Sequence, residues 1–407
     1  MPCESRRESD IACASDHVEV SVVIPCLNEA DTVESCVRTA LAAIRSSGLC
    51  GEVIVADNGS TDGSPVLAER AGARVILVPR KGYGSALMGG IAAAGGECVV
   101  MGDADGSYDF SEIPLLVGRL REGYDLVQGC RLPAGGGRIM PGAMPFLHRW
   151  FGNPLLSWLS RRWFRVRIHD VYCGLRGFRK SYYETLKQRC TGMEFATEMI
   201  VKSSLFGARM AEVPITLRRD GRIARGPHLR TFRDGWRTLR FFLMYSPRWL
   251  FFLPGCLLIT LGLAGYAIAL PGLSFRGVVF DAHTLLFASL FILCGYQAVL
   301  FAVFAKTFAI NENLLPTDRR FLRLFDIINL ERGIGISVLL LLAWVVLLLA
   351  AANQWREAGW GHLDYAHTMR WVIPGSTLTA LGVQTLFSSF FVSILGIKRD
   401  HERREGS

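Results

Sequence analysis

The sequence predicts an α/β protein with a doubly wound, mainly parallel sheet, followed by a four-helix transmembrane region. In the N-terminal part, short apolar runs alternate with helical patterns, which is typical of a parallel sheet covered by helices. The C-terminal part instead contains long apolar segments without charges, each reaching the roughly 20 residues that span a bilayer. The 407-residue chain is 50% hydrophobic, and these residues are concentrated towards the C-terminus.

Residues 1–18 are polar and unpatterned, and we expect a flexible tail there. The β-branched runs that follow predict buried strands. In chain order these strands are Val20–Pro25, Val53–Ala56, Arg74–Val78, Glu97–Met101 and Asp125–Cys130. Helical patterns occupy the intervals and end near Ser46, Ala71, Ala94 and Arg121. Residues 19–229 are therefore expected to form one domain, in which ligands bind at the carboxyl ends of the strands.

Two carboxylates, Asp103 and Asp105, follow the fourth predicted strand in the sequence GDADG. Side chains one residue apart in an extended backbone point to the same side, where two carboxylates readily share a divalent cation. A solvated turn is the alternative, because Asp and Gly are also ordinary turn residues. Asn28 and Asp57 follow two other strands. Three strand ends thus bring polar groups to one edge.

Two segments are predicted to lie along a membrane surface. Residues 143–165 combine tryptophans such as Trp158 with flanking arginines, a combination typical of headgroup level, although a core helix with a basic outer face is the alternative. Residues 230–248 place arginines on one helical stripe beside an apolar stripe. The apolar stripe consists of Phe232, Trp236, Leu239 and Leu243.

Four charge-free segments, at 249–270, 283–305, 334–352 and 371–397, are predicted to cross the membrane. Lys and Arg are frequent between the second and third segments and in the basic tail at 398–407, and few in the connections around Arg276 and between Arg356 and Arg370. The positive-inside rule then places the N-terminal domain, the middle loop and the tail in the cytosol, which makes this an integral protein of the inner (plasma) membrane.

The net charge of +9 indicates an anionic binding partner. Because the arginines adjoin apolar segments, anionic lipid headgroups fit better than nucleic acid. The eleven cysteines are odd in number and contain no C-x-x-C pair, which argues against a disulfide framework or a zinc knuckle and favours a reducing, cytosolic setting.

The ordered blocks of residues 20–250 resemble family 2 glycosyltransferases, in particular the bacterial, membrane-anchored form of the polyprenyl-phosphate (dolichyl-phosphate) hexosyltransferases. The blocks that carry the resemblance are VSVVIPCLNEADTV, VIVADNGSTDGS, KGYGSALMGGI, GDADGSYDF and HDVYCGLRGFRK. The resemblance implies a GT-A-like fold, and it implies that Asp103 and Asp105 hold Mg²⁺ or Mn²⁺ on the diphosphate of a nucleotide-sugar.

The resemblance also implies roles for other residues. The groups expected to bind the nucleotide-sugar are Pro25, Leu27, Asn28, Glu29, Asp57, Lys81 and Asp103. Those expected to act in catalysis are Asp105, Asp170 and Arg131, and those expected near the acceptor phosphate are Arg131, Arg138, Arg176 and His228. Two positions depart from the pattern: Ser107 replaces a Gln, and Pro227-His228-Leu229 replaces Ser-Lys-Leu.

The expected function is the metal-dependent, inverting transfer of one hexose from a UDP- or GDP-sugar to a polyprenyl phosphate at the cytosolic membrane face. A divalent ion neutralises the leaving diphosphate, and an anionic lipid phosphate needs cationic positioning rather than a strong base. The alternatives are a non-catalytic nucleotide-sugar-binding membrane scaffold and a processive polysaccharide synthase. A dinucleotide enzyme is disfavoured because its glycine fingerprint should follow the first strand. The sequence sets neither the sugar nor the oligomeric state, and a homo-oligomer is compatible with it.

Overall fold

The computed structural model describes residues 18–144, 150, 152–222, 231–275, 278–317, 321 and 330–405. The chain forms two compact units that divide between Phe242 and Leu243. The first unit contains the sheet and its helices, and the second contains long apolar helices. This arrangement confirms the predicted fold class.

In the described part of the first unit there are nine short strands. In chain order they are β1 Val20–Cys26, β2 Gly51–Asp57, β3 Arg74–Leu77, β4 Cys98–Met101, β5 Leu126–Cys130, β6 Arg138–Ile139, β7 Arg176–Arg179, β8 Met210–Pro214 and β9 Thr216–Leu217. Seven of them form the main sheet in the order β3-β2-β1-β4-β7-β5-β8, and β6 pairs with β9. All neighbours in the main sheet are parallel except β7, which is antiparallel to both β4 and β5.

Eight α-helices among the described residues accompany these strands. They are α1 Val33–Ser46, α2 Ser64–Arg70, α3 Tyr83–Ala93, α4 Ile113–Arg121, α5 Asn153–Phe164, α6 Lys180–Leu186, α7 Glu194–Leu205 and α8 Thr231–Tyr245. The central strands are buried on both faces, which explains why β1 and β2 read as continuous apolar runs. Eight described cysteines are free thiols. Cys50 is disulfide-bonded, which the sequence did not predict.

The two helices predicted at the membrane surface pack on each other within the first unit. The Phe242 ring of α8 lies 5.4 Å from Phe164 and 6.3 Å from Trp163 of α5, measured between ring centroids. Phe241 and Phe242 are buried, whereas Trp236 of the predicted apolar stripe is 61% exposed. The face of α8 that packs on the first unit is therefore offset from the stripe read in the sequence.

The second unit contains α9 Leu253–Ala269, α10 Ala282–Asn311, α11 Leu330–Glu357 and α12 Tyr365–Glu405, and a two-stranded hairpin of β10 Ser274–Phe275 and β11 Val278–Val279 connects α9 to α10. Among the described residues, four helical stretches are long and apolar enough to cross a membrane: 248–269, 282–311, 330–357 and 367–395. Three of them are longer than the apolar segments of the sequence, because helical structure continues into the polar residues at the ends. Side-chain hydroxyls link the helices, as between Tyr296 and Thr385 at 2.7 Å.

Candidate active site

The site lies at the carboxyl ends of β1, β2 and β4. Asn28, directly after β1, adopts a left-handed backbone with φ of 59°. Its backbone N–H donates to Ser60 Oγ at 2.8 Å, and its side-chain Oδ1 accepts from the Thr61 N–H at 2.8 Å. Asn28 thus ties the loop after β1 to the loop after β2.

Asp57 and Asn58 hold the end of β2. The Asp57 carboxylate, which is buried, accepts from the backbone N–H groups of Gly59 at 2.9 Å and Ser60 at 3.1 Å. Asn58 donates to the carbonyls of Val78 and Arg80 and accepts from the Gly82 N–H. These bonds fix the connection from β3 to α3 against β2. Asn58 was not among the predicted site residues, although it stands in the turn-rich sequence DNGSTDGS, which could have indicated it.

Lys81 extends this connection towards the edge of the sheet. Its side chain is exposed, and Nζ donates to the backbone carbonyl of Asn58 at 2.6 Å. An exposed ammonium held at the end of β2 can contact an anionic ligand. The structure therefore brings Lys81 to the same edge as Asn28 and Asp57.

The two carboxylates after β4 occupy different surroundings. Asp103 Oδ1 accepts from the Tyr83 hydroxyl at 2.8 Å, and Asp105 Oδ1 accepts from the Ser107 N–H at 2.9 Å. Burial, together with the nearby Asp105 charge, raises the pKa of Asp103 to about 6, against the opposing hydrogen bond from Tyr83. Negative charge is therefore concentrated at this turn.

Arg222 brings a positive charge to these acids. Its Nη1 lies 3.2 Å from Glu29 Oε1, and its Nη2 lies 3.5 Å from Asp105 Oδ2 and 2.6 Å from Asp220 Oδ2. Burial nevertheless raises the pKa of Glu29 to about 7, because the Arg222 charge only partly offsets the loss of solvation. In the sequence, Arg222 was one of many arginines between Arg218 and Arg248, and no spacing distinguished it.

Arg131 and Asp170 form a buried ion pair. The guanidinium donates to both Asp170 oxygens at 2.7 and 2.8 Å, and the Arg131 backbone N–H adds a third bond at 3.0 Å. Burial opposes ionisation of Asp170, but the Arg131 charge more than offsets it, so the pKa of Asp170 lies below its ordinary value. Glu212 of β8 accepts from the backbone N–H groups of His169 and Asp170, which fixes this segment further. The structure therefore brings two predicted site residues together, and Glu212 is a supporting residue that no motif indicated.

The structure places the other residues predicted at the acceptor phosphate differently. Arg176 is completely buried on β7, where it donates to the carbonyls of Cys173 and Ala196 at 2.7 Å, and burial lowers its pKa. Arg138 is exposed on β6. His228 lies outside the described residues. A phosphate contact by Arg176 stays a prediction.

Two residues predicted at the nucleotide remain accessible at the end of β1. Pro25 is half-buried and Leu27 is 38% exposed. Pro25 is among the last residues of β1 and Leu27 is in the connection that contains Asn28, so both lie at the end of the strand where a ligand is expected.

The structure also shows the surroundings of two glutamates of α7. Glu198 is fully buried and paired with Lys202 at 2.8 Å. It further accepts from the backbone N–H groups of Arg189 and Cys190, so it holds a loop. Glu194 is half-buried and lies 3.9 Å from Arg237 of α8.

The donor set at Asp103 and Asp105 fits a divalent cation bound together with a substrate. Among the described residues, no cluster of three or more His, Cys, Asp or Glu side chains is arranged to hold a metal ion. Two adjacent carboxylates, one with a raised pKa, supply hard oxygen ligands but leave most of a coordination sphere open. Diphosphate oxygens and water would complete such a sphere.

Family models match two parts of the chain. Residues 21–187 match the model described as glycosyl transferase family 2. Residues 303–396 match the model described as the glycosyltransferase family 2 C-terminal transmembrane region. One match thus contains Asp57, Asp103 and Asp170, and the other covers the later membrane-length helices.

Individual proteins are similar to different extents. The low-salt glycan biosynthesis hexosyltransferase Agl6 of Haloferax volcanii is 35% identical over 392 residues, covering 96% of this chain and 91% of that protein. An undecaprenyl-phosphate 4-deoxy-4-formamido-L-arabinose transferase of Salmonella paratyphi A is 29% identical over 204 residues, covering 48% of this chain and 59% of that protein.

A solved structure shows a more partial likeness. The glucosyl-3-phosphoglycerate synthase of Mycobacterium tuberculosis, in complex with Mn²⁺, UDP and glucosyl-3-phosphoglycerate, aligns with 56% of this chain and 78% of its own, at 26% identity and a TM-score of 0.43. At this TM-score we infer nothing about this chain from that structure. The extent of the match to Agl6, together with the two family models, is decisive: this chain belongs to glycosyltransferase family 2 and is a glycosyltransferase.

Proposed function

We propose that this glycosyltransferase moves a single hexose, with inversion, from a nucleotide-sugar to a polyprenyl phosphate, in a reaction that depends on Mg²⁺ or Mn²⁺. The names of two relatives support this substrate class, since one is a hexosyltransferase and another acts on undecaprenyl phosphate. The product would be a lipid-linked sugar.

The observation that carries the proposal is the contact between the Asp-x-Asp turn and the segment that follows Asp170. A Cβ atom placed on Gly174 would lie 2.6 Å from Asp103 Oδ2, so the backbone of this segment lies directly against that carboxylate. The same segment begins at Asp170, which holds Arg131. Acidic groups suited to a metal-bound diphosphate and a cation suited to an acceptor phosphate therefore belong to one contiguous site.

The residues divide the chemistry between them. Asp103 and Asp105 would hold the ion, which when bound neutralises the charge that develops on the leaving diphosphate. Lys81, held at the end of β2, and Arg222, beside Asp105, would supply cations for phosphate oxygens. Arg131 keeps its charge because Asp170 fixes it, and it would orient the acceptor phosphate for direct attack on the sugar. A phosphate that is already anionic needs no proton removed, so the mechanism requires no general base.

The membrane part of the proposal rests on chain composition and exposure. Apolar side chains of α5 are exposed, with Leu155 at 56% and Trp158 at 54%, and arginines flank them. Such a surface suits headgroup level, where a lipid phosphate is found. We place the catalytic unit on the cytosolic face of the plasma membrane, following the distribution of Lys and Arg between the helices.

The test is transfer by membranes that contain the protein. They are incubated with Mn²⁺, undecaprenyl phosphate and a panel of radiolabelled UDP- and GDP-hexoses, and the extracted lipids are chromatographed. We expect one labelled lipid product, and we expect Asp105→Ala to reduce its formation by at least about 100-fold, because a divalent ion would lose a direct ligand. Glu122→Ala is the matched control: it removes an exposed carboxylate paired with Arg119, and it should leave transfer unchanged.

Each alternative function gives a distinct result. Binding of a labelled nucleotide-sugar without any labelled lipid would support a scaffold, and a long polysaccharide product would support a processive synthase. Full metal-dependent transfer by Asp105→Ala would contradict the assigned role of the Asp-x-Asp turn.

A further inference from the structure

Tyr83 is the first residue of α3, and no motif assigned it a function. Its hydroxyl donates to Oδ1 of Asp103 at 2.8 Å, across 20 residues of sequence. A hydrogen bond from a half-buried phenol restricts the rotation of the carboxylate that accepts it. The start of α3 is thereby joined to the turn after β4.

The position of Tyr83 is itself fixed by the two glycines that flank it. The Gly82 N–H donates to Asn58 Oδ1 at 2.7 Å. A Cβ atom on Gly82 would lie 2.3 Å from the Thr191 carbonyl oxygen, and one on Gly84 would lie 2.5 Å from the Cys190 carbonyl oxygen. Gly82 also has a φ of 132°, which side chains rarely allow. Only glycine lets α3 approach the 190–191 backbone this closely.

That backbone is held in turn by the buried pair on α7. Glu198 Oε2 accepts from the N–H groups of Arg189 at 3.0 Å and Cys190 at 2.8 Å. Lys202, completely buried beside Glu198, donates to the carbonyls of Leu186 and Lys187. Buried charges whose hydrogen bonds are satisfied make a rigid support. The loop against which α3 begins is therefore anchored.

Asp103 is also confined on its other side. Its Oδ2 lies against Gly174, where a Cβ atom would come within 2.6 Å. The Gly174 N–H donates to the Tyr108 hydroxyl at 2.7 Å, which keeps this backbone in place. The carboxylate is thus held between a phenol hydroxyl and a fixed stretch of main chain.

We propose that Tyr83 is a positioning residue for the divalent-cation site: its hydroxyl sets the orientation of the Asp103 carboxylate, at the end of a chain of contacts that starts at Glu198 and Lys202. The inference rests on the proposed function, since it requires Asp103 to be a metal ligand. Hydrogen bonds to a ligand from outside the coordination sphere typically contribute about 10–100-fold in metal affinity. They act on affinity without contacting the substrate.

The test uses the full chain in detergent micelles and Mn²⁺ alone as the probe. Tyr83→Phe removes only the hydroxyl, and we expect the Kd for Mn²⁺, measured from the electron paramagnetic resonance of the free ion, to rise about 10-fold. In transfer assays the Mn²⁺ concentration for half-maximal rate should rise by a similar factor, with kcat at saturating Mn²⁺ within about two-fold. The matched control is Tyr183→Phe, which removes the hydroxyl of a half-buried tyrosine that stacks on Phe178, and it should leave both values unchanged.

The outcomes separate this inference from the proposed function. Wild-type protein that binds Mn²⁺ while Tyr83→Phe binds it equally well would overturn the positioning role alone. Wild-type protein that binds no Mn²⁺ even after UDP or GDP is added would overturn both. Equal weakening in Tyr83→Phe and Tyr183→Phe would indicate general loosening and would also overturn the positioning role. If Tyr83→Phe folds poorly, Gly174→Ala perturbs the same carboxylate from its other side, and unchanged Mn²⁺ affinity there would contradict the inference.

Discussion

At the scale of single residues, several charged side chains of the candidate site pair with one another. Arg131 and Asp170 are both candidates for substrate contact in the sequence, yet in the structure they bind each other bidentately. Breaking a buried pair of this kind typically costs about 3–5 kcal/mol, because one charge is left without its partner. A charge reversal at Arg131 would therefore change stability as well as acceptor use, and the two effects have to be measured separately.

Glu29 gives the residue-scale prediction, which concerns pH. Its pKa is about 7 in the folded chain against an ordinary value of 4.5. Between these values the folded chain keeps a proton that the unfolded chain has lost, so the Glu29 contribution to stability falls as pH rises from 4.5 to about 7 and is constant above. At about 1.4 kcal/mol for each unit of pKa, the full change is at most about 3.5 kcal/mol.

Metal-free thermal unfolding at pH 5 and pH 8 measures this effect. The Tm difference between wild type and Glu29→Gln should favour wild type more at pH 5 than at pH 8. Glu34→Gln removes an exposed carboxylate paired with Arg38 and should show the same difference at both pH values. A Glu29→Gln difference that does not change with pH would contradict the raised pKa.

The residues that follow predicted strands could be located from sequence, and their partners could not. Asp57 and Asp103 stand at the ends of apolar runs, so the periodic pattern placed them at one edge of the sheet. Arg222, Tyr83 and Glu212 reach the same site from distant parts of the chain. Tertiary packing brings them to the site, so no local sequence pattern could have identified them.

At the scale of elements, the same distinction holds. The five N-terminal strands were predicted to within about two residues at each end, because buried parallel strands carry a strong apolar signal. The strand β8, MAEVP, was missed, since its five residues include a charge and a proline. The antiparallel insertion of β7 between β4 and β5 could not be predicted from the sequence either, because strand order is set by pairing between distant segments.

The helix α7 gives the element-scale prediction. Lys202→Met should lower stability by about 3–5 kcal/mol, because Glu198 would keep a buried charge without the ammonium 2.8 Å away. Thermal unfolding in detergent measures the loss. The double variant Glu198→Gln/Lys202→Met removes both charges and should recover part of it. A single variant as stable as wild type would show that the pair contributes little to holding the 186–190 loop.

At the scale of the whole molecule, a catalytic unit and a membrane unit share one chain and differ in composition. Helix α8 ends at Tyr245, and the first membrane-length helix begins at Arg248. Arginines on α8 therefore stand close in sequence to a segment that can cross a bilayer. This composition suits the proposed function, in which a water-soluble donor and a lipid acceptor come from different phases.

The sidedness of the membrane unit gives the whole-molecule prediction. Leu273→Cys and Ala358→Cys, in the connections after α9 and α11, should react with an impermeant maleimide added to intact cells, because few basic residues surround them. Asn313→Cys, after α10, should react only once the cells are broken. Wild-type protein gives the background labelling of its native cysteines. Labelling of Asn313→Cys in intact cells would contradict the cytosolic placement of the catalytic unit.

The place of β7 in the sheet bears on biosynthesis. A ribosome completes β4 and β5 well before Arg176–Arg179, yet these two strands pair only through β7. Until that later segment emerges, β4 keeps one side of unpaired backbone, and β5, whose other neighbour β8 is made later still, keeps both. Unpaired strand edges of this kind recruit other chains. The interval between Cys130 and Arg176 is therefore when the growing polypeptide most needs a chaperone, and a chain shortened to end within it would lack the strand that joins the two parts of its sheet.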